Sequence, residues 1–177
     1  MKKIISIMLL LFAFAGCSKD DGKLANFNPD PKAGDPATDF LYADIKENPF
    51  RLSEKKGSVV ILYFWRMKCA ECRKELDTLE ALNRKYRDKG LVIAAINEDS
   101  MHSAPLVDVL ELIDKRGFTF INVRDDNGFV SEAYNVLKAP QSYVIDRNGT
   151  IAEVEKESLD WMSPGSVIMI EKLINSK

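Results

Sequence analysis

The sequence predicts an α/β domain built on a central mixed β-sheet that is flanked by helices. Apolar, β-favouring runs alternate along the chain with segments whose apolar residues recur every three to four positions. The run at 59–65 is continuously apolar, as expected for a central strand covered on both faces. The turn at 146–149 reads Asp-Arg-Asn-Gly and joins two strands into a hairpin. This antiparallel pair makes the predicted sheet mixed.

An N-terminal β-hairpin is predicted before the central strand. Short β-type runs at 40–42 and 49–52 flank a turn at 44–48. Ser53 can cap a short helical turn that ends at Gly57.

The later elements follow from periodicity and from helix stops. In the helix predicted at 70–88, Leu76, Leu79 and Leu82 keep a helical spacing, and Gly90 stops the helix. Gly117 closes the next helix in the same way. The remaining predicted elements are a strand at 91–96, a helix at 105–116, a strand at 118–123, a short helix at 128–134, strands at 142–145 and 150–154, and a helix at 164–174.

The first sixteen residues have the pattern of a secretory signal peptide. Met1, Lys2 and Lys3 form a basic start, and the apolar run at 4–14 is too short for an ordinary membrane span. Small residues then precede Cys17. This ending resembles the lipobox of bacterial lipoproteins, in which the signal is cleaved before the cysteine and the cysteine is lipidated.

The predicted organisation therefore has three parts: a signal peptide at 1–16, a lipidated Cys17 with a flexible tether at 17–35, and a folded domain at 36–177. Phe14 departs from the usual lipobox leucine, and a plain signal peptide with an incidental cysteine is the alternative. The expected location is a bacterial membrane, facing the periplasm or the cell exterior. The mature net charge of about −4 argues against a nucleic-acid partner.

Cys69 and Cys72 are the chief candidates for chemistry. They stand three apart where the strand ends and the helix begins, and a helix N-terminus stabilises a thiolate. Cys69 is predicted to be the nucleophile, and Cys72, one turn on, is predicted to resolve the mixed disulfide. Lys68 favours the Cys69 thiolate and Glu71 opposes it.

Two other interpretations of this cysteine pair are a structural disulfide and half of a metal site. A disulfide bond that closes so short a loop adds little stability. Zinc usually requires four ligands, and the chain has no second Cys-x-x-Cys motif and one histidine. That residue, His102, lies in a polar loop and is expected at the surface, whereas Trp65 is expected in the core.

Several segments, in order, resemble the thioredoxin-like TlpA/ResA group of extracytoplasmic thiol–disulfide oxidoreductases. These segments are the opening at 34–40, the active-site strand and Cys-x-x-Cys at 64–72, the proline loop and strand at 134–146, and the turn at 148–149. Lys68 and Glu71 replace residues that are usually Trp and Pro in this family, and a helix proline common shortly after Glu75 is absent.

The resemblance implies further site residues. Glu75 matches a glutamate that handles the protons of the dithiol, although a solvated acid in the first helical turns is equally compatible with the sequence. Pro140 matches a cis-proline that faces the dithiol, with Ala139 offering backbone contacts to substrate. A trans proline that opens a strand is the alternative.

The predicted function is reduction of disulfides in extracytoplasmic proteins, including the apocytochrome c substrates of such relatives. An upstream thiol reductant, such as a membrane thiol-electron carrier, would recharge the pair, and no cofactor or metal is expected. One alternative is a thiol peroxidase, although the Pro-x-x-x-Thr-x-x-Cys pattern is missing before Cys69. The other is a Cu(I) chaperone, although copper-binding relatives use Cys-x-x-x-Cys and a histidine before the proline loop.

Overall fold

The computed structural model describes residues 27–176, so the predicted signal peptide and Cys17 lie outside the described residues. The elements in chain order are β1 (Leu41–Ala43), β2 (Pro49–Arg51), β3 (Val59–Trp65), α1 (Ala70–Tyr86), β4 (Leu91–Asn97), α2 (Leu106–Arg116), β5 (Ile121–Arg124), α3 (Phe129–Ala133), β6 (Gln141–Ile145), β7 (Ile151–Glu155) and α4 (Pro164–Asn175). Short 3₁₀ turns follow β2 and α1.

Five strands form the main sheet in the order β5-β4-β3-β6-β7. Strand β3 pairs parallel with β4, which pairs parallel with β5, whereas β3–β6 and β6–β7 are antiparallel. Strands β1 and β2 form a separate antiparallel pair, the predicted N-terminal hairpin. The predicted thioredoxin-like fold, with a mixed sheet between helices, is therefore confirmed.

Strand β3 divides the core into two layers because alternate side chains of a strand point to opposite faces. One face carries Ile61 and Tyr63 into a cluster with side chains of α1, α2 and α4. The other carries Leu62 and Phe64 into a cluster with α3 and the hairpin. Every residue of β3 is buried, as its continuous apolar run predicts.

Strand β5 begins at Ile121, so the prediction of a strand from Phe118 was wrong by three residues. Gly117 ends α2 with φ of 64°, and the Phe118 N–H donates to the Ile113 carbonyl, 3.1 Å away. The Thr119 N–H donates to Glu80 of α1 at 2.8 Å. The Phe118 N–H therefore belongs to the C-terminal cap of α2, and the Thr119 N–H binds a side chain. Neither group takes part in pairing between strands.

The described end of the predicted tether lies against the edge of the sheet. The Gly34 N–H donates to the Ile151 carbonyl at 2.8 Å, and the Ile151 N–H donates to the Asp35 carbonyl at 2.9 Å. The domain boundaries themselves stay a prediction. Among the helices of residues 27–176, none combines the length and the apolar character that crossing a membrane would require.

Candidate active site

The two cysteines form a disulfide at the N-terminus of α1. Cys69 is the N-cap residue, and its Sγ accepts a hydrogen bond from the Cys72 N–H at 3.1 Å. Cys69 is partly exposed, whereas Cys72 is fully buried. The helix dipole and the N–H groups of the first turn therefore act on the sulfur that solvent and a partner can reach.

The loop between β3 and Cys69 is held by Asp99. This buried carboxylate accepts hydrogen bonds from the Met67 N–H at 2.7 Å and from the Asn97 side-chain amide at 2.8 Å. Arg124 donates in turn to the Asn97 side-chain oxygen at 2.7 Å. The chain leading into Cys69 is thus fixed by a polar network from the neighbouring strands.

Asp99 was not singled out in the sequence, although a signal for it exists. It lies two residues after the end of β4, the parallel neighbour of β3. Because the carboxyl ends of parallel strands meet at one edge of a sheet, a polar residue there is placed beside the loop to Cys69.

Glu75 lies one turn after Cys72 on α1, and its side chain is 2% exposed. The Trp161 indole Nε1 donates to Glu75 Oε1 at 2.7 Å. Oε2 of the same carboxyl is buried and has no hydrogen-bond partner among the described residues. The alternative of a solvated acid at this position is therefore wrong.

Burial raises the pKa of Glu75 because the charged carboxylate loses its hydration. The Trp161 N–H opposes this rise, as do polar groups of Ser158 and Leu159 that face the same carboxyl. Burial also raises the pKa of Tyr63, whose hydroxyl donates to the Cys72 carbonyl at 3.1 Å. Glu75 is thus a buried carboxyl that takes up protons more readily than an exposed glutamate.

The proline loop lies at the same end of the sheet as the disulfide. The Ala139–Pro140 peptide is cis, as the family resemblance implied. Gln141 pairs with Phe64, so Pro140 lies beside the end of β3 from which the chain continues to Cys69. Pro140 is buried, whereas Ala139 is partly exposed and packs, like Cys69, against the core beneath α1.

The other residues considered in the sequence fall as expected. His102 is exposed in the loop after β4, and Trp65 is fully buried in the core. Within residues 27–176, no group of three or more histidine, cysteine or acidic side chains is arranged to hold a metal ion.

The fold and the disulfide agree with comparisons to known proteins. Residues 33–154 match the AhpC/TSA family. The chain belongs to this family. Thiol-disulfide oxidoreductase ResA of Oceanobacillus iheyensis is 32% identical over 160 residues, which cover 88% of this chain and 78% of that protein.

Solved structures give the same result. A candidate thiol:disulfide interchange protein, DsbE, from Chlorobium tepidum has a TM-score of 0.74 and 27% identity, covering 82% of this chain and all of that one. The thioredoxin domain of a thiol-disulfide oxidoreductase from Bacteroides vulgatus has a TM-score of 0.68 and 27% identity, covering 81% and 98%. The predicted enzyme class, a thiol–disulfide oxidoreductase, is confirmed.

Proposed function

We propose that this family member reduces disulfide bonds of other proteins outside the cytoplasm, from a membrane to which Cys17 anchors it through lipid. The observation that carries the proposal is the asymmetry of the cysteine pair. Cys69 is partly exposed at a helix N-terminus, and Cys72 is buried behind it. One sulfur can meet a partner while the other is kept from solvent.

The reaction begins with both cysteines reduced. The Cys69 thiolate attacks one sulfur of a substrate disulfide, the substrate S–S bond breaks, and a mixed disulfide forms. The displaced substrate sulfur leaves as a thiolate and takes a proton from water. The helix N-terminus stabilises the attacking thiolate before this step.

In the second step Cys72 resolves the mixed disulfide. Its thiol loses a proton to the Glu75 carboxylate, its sulfur bonds to Cys69 Sγ, and the second substrate sulfur leaves and is protonated. The substrate has gained two electrons, and the Cys69–Cys72 disulfide has formed. An upstream thiol reductant, for which a membrane thiol-electron carrier is suited, returns the pair to the dithiol state.

Substrate recognition is assigned to the proline loop. Ala139 is partly exposed and carries only a methyl side chain, and Pro140 lies beside the end of β3 that leads to Cys69. An extended segment that carries a cysteine pair can lie along this backbone. The proposed substrates include apocytochrome c, whose cysteines must be reduced before haem is attached.

The test is reduction of a protein disulfide, with insulin as the probe, by the purified protein and two variants. Cys72→Ser is expected to accumulate a mixed disulfide through Cys69, because it lacks the resolving sulfur. Cys69→Ser is expected to form none and to lose the activity. Full activity in both variants would contradict the proposal.

The same preparation separates the alternatives. Hydrogen peroxide consumption coupled to thiol turnover, faster than insulin reduction, would indicate a peroxidase. Tight stoichiometric uptake of Cu(I) by the reduced protein, without disulfide exchange, would indicate a copper chaperone.

A further inference from the structure

Trp161 lies in the segment between β7 and α4 and is fully buried. Its indole Nε1 is 2.7 Å from Glu75 Oε1, across 86 residues of sequence. Thr78 links the same two segments, because its hydroxyl accepts a hydrogen bond from the Trp161 backbone N–H at 3.3 Å and donates one to the Glu75 backbone carbonyl at 2.9 Å. Hydrogen bonds from both the side chain and the backbone of Trp161 therefore hold the indole against the Glu75 carboxyl.

An indole N–H can donate a hydrogen bond but cannot accept one. The oxygen that faces it must therefore act as an acceptor whether Glu75 is ionised or protonated. In the protonated acid, the carbonyl oxygen fills this role and the hydroxyl lies on the other oxygen. That other oxygen is Oε2, which is buried and has no hydrogen-bond partner among residues 27–176.

The other groups that face the Glu75 carboxyl carry no positive charge. Tyr63 faces it from β3, Ser158 and the Leu159 backbone face it from the segment before Trp161, and Cys72 lies one turn earlier on α1. The Tyr63 hydroxyl donates its proton to the Cys72 carbonyl. None of these groups is a cation that would hold Glu75 ionised.

We propose that Trp161 is a positioning residue for Glu75: its N–H occupies Oε1, so that the proton of the dithiol reaction is taken up and released at Oε2. The inference rests on the proposed function, since it specifies how Glu75 serves the resolving step. It also predicts the direction in which the pKa of Glu75 changes when the indole donor is removed. A donor at Oε1 favours the carboxylate, so removal of the donor makes ionisation of Glu75 harder.

The test compares Trp161→Phe with Trp65→Phe in the full chain. Both substitutions replace a fully buried tryptophan of the same core layer, but the Trp65 indole N–H has no hydrogen-bond partner among the described residues. The Glu75 carboxyl is followed by ¹³C NMR against pH in the oxidised protein. Trp161→Phe is expected to raise its titration midpoint by about one pH unit, and Trp65→Phe to leave it in place.

A kinetic readout accompanies the titration. The pH profile for resolution of the mixed disulfide is expected to shift upward with the Glu75 midpoint in Trp161→Phe, and this shift should be absent when Glu75 is also replaced by Gln. A purely structural role of Trp161 would lower stability without moving the Glu75 midpoint, and that result would overturn the inference.

The unmodified protein provides a second test that does not require a variant to fold. Its two tryptophans give two indole N–H signals, and the Trp161 signal is expected to titrate with Glu75 while the Trp65 signal stays constant. Two signals that ignore the Glu75 titration would also overturn the inference. Since these titrations require no catalysis, a failure of the proposed function would show in the insulin assay alone.

Discussion

At the scale of single residues, burial determines the behaviour of Glu75. The side chain is 2% exposed, and loss of hydration raises its pKa despite the Trp161 hydrogen bond. The folded protein therefore binds a proton at Glu75 more readily than the unfolded chain does. The stability from this preference is present below the unfolded pKa of about 4.3 and is lost as the pH rises through the folded pKa.

Replacement of Glu75 by Gln should therefore change the pH dependence of folding. The amide cannot ionise, so the stability of Glu75→Gln relative to the unchanged protein is expected to increase as the pH rises from about 4 and to level off above the folded pKa. Denaturant unfolding of the oxidised protein measures this, because neither cysteine titrates in the disulfide. A difference that stays constant or shrinks with rising pH would contradict the pKa assignment.

Asp99 supports the loop that leads to Cys69. Asp99→Ala leaves the Met67 N–H and the Asn97 amide without their shared acceptor, and it is expected to cost about 2–3 kcal/mol of unfolding free energy. The matched control is Asp77→Ala, which removes a half-exposed carboxylate paired with Arg116 and should cost at most about 1 kcal/mol. Equal losses of unfolding free energy in the two variants would contradict the expectation that the buried Asp99 matters more for stability than the half-exposed Asp77.

Some of the site residues can be identified from the sequence around them, and others cannot. Cys69 caps α1, and Cys72 and Glu75 follow it at intervals of three residues, so spacing and the resemblance of the motif were enough to select them. Trp161 reaches Glu75 across 86 residues, and its segment has no periodicity that points to α1. Its role depends on the packing of the segment after β7, which a single sequence does not reveal.

At the scale of elements, α1 connects the site with the core. Cys72, Leu76 and Leu79 are fully buried on one face of the helix, because residues three and four apart share a face. Packing of this face, more than the helix propensity of the sequence, holds the helix N-terminus beneath Cys69.

Truncation on this face should therefore be costly. Leu79→Ala is expected to destabilise the protein by about 2–5 kcal/mol through lost burial and a cavity. Leu137→Ala is the matched control, because that leucine is 84% exposed, and it should change stability by at most about 0.5 kcal/mol. Thermal or denaturant unfolding compares the two, and a Leu79→Ala cost as small as that of the control would show that α1 packs elsewhere.

The elements were predicted well where a pattern repeated within one segment. Strand β3, with its continuous apolar run, begins and ends at the predicted residues. Strand β5 was misplaced because Phe118 and Phe120 have β-favouring side chains that instead stack on each other, 5.2 Å between ring centroids, beside the end of α2. The preferences of single residues could not show that the backbone N–H groups of Phe118 and Thr119 are hydrogen-bonded to α2 and α1.

At the scale of the whole molecule, the sheet brings together residues that are distant in sequence. The end of β3, the segment after β4 and the start of β6 meet at one edge, where the disulfide, Asp99 and Pro140 lie. Alternation of strands and helices predicted this architecture, but the spatial order β5-β4-β3-β6-β7 required the structure.

The proposed anchor also belongs to this scale. In a bacterial host, Cys17→Ser in the full chain is expected to abolish incorporation of labelled fatty acid and to move the protein out of the membrane fraction, because one residue would carry the lipid. The oxidised domain should keep its unfolding free energy. Continued fatty-acid labelling of the variant would contradict the assignment of Cys17.

The reduction potential of the Cys69–Cys72 pair, measured by equilibration with dithiothreitol or glutathione buffers, tests the central claim most directly. A protein disulfide reductase is expected to have a potential near that of thioredoxin, about −270 mV. A potential near that of DsbA, about −120 mV, would mean that the protein forms disulfides in its substrates rather than reducing them.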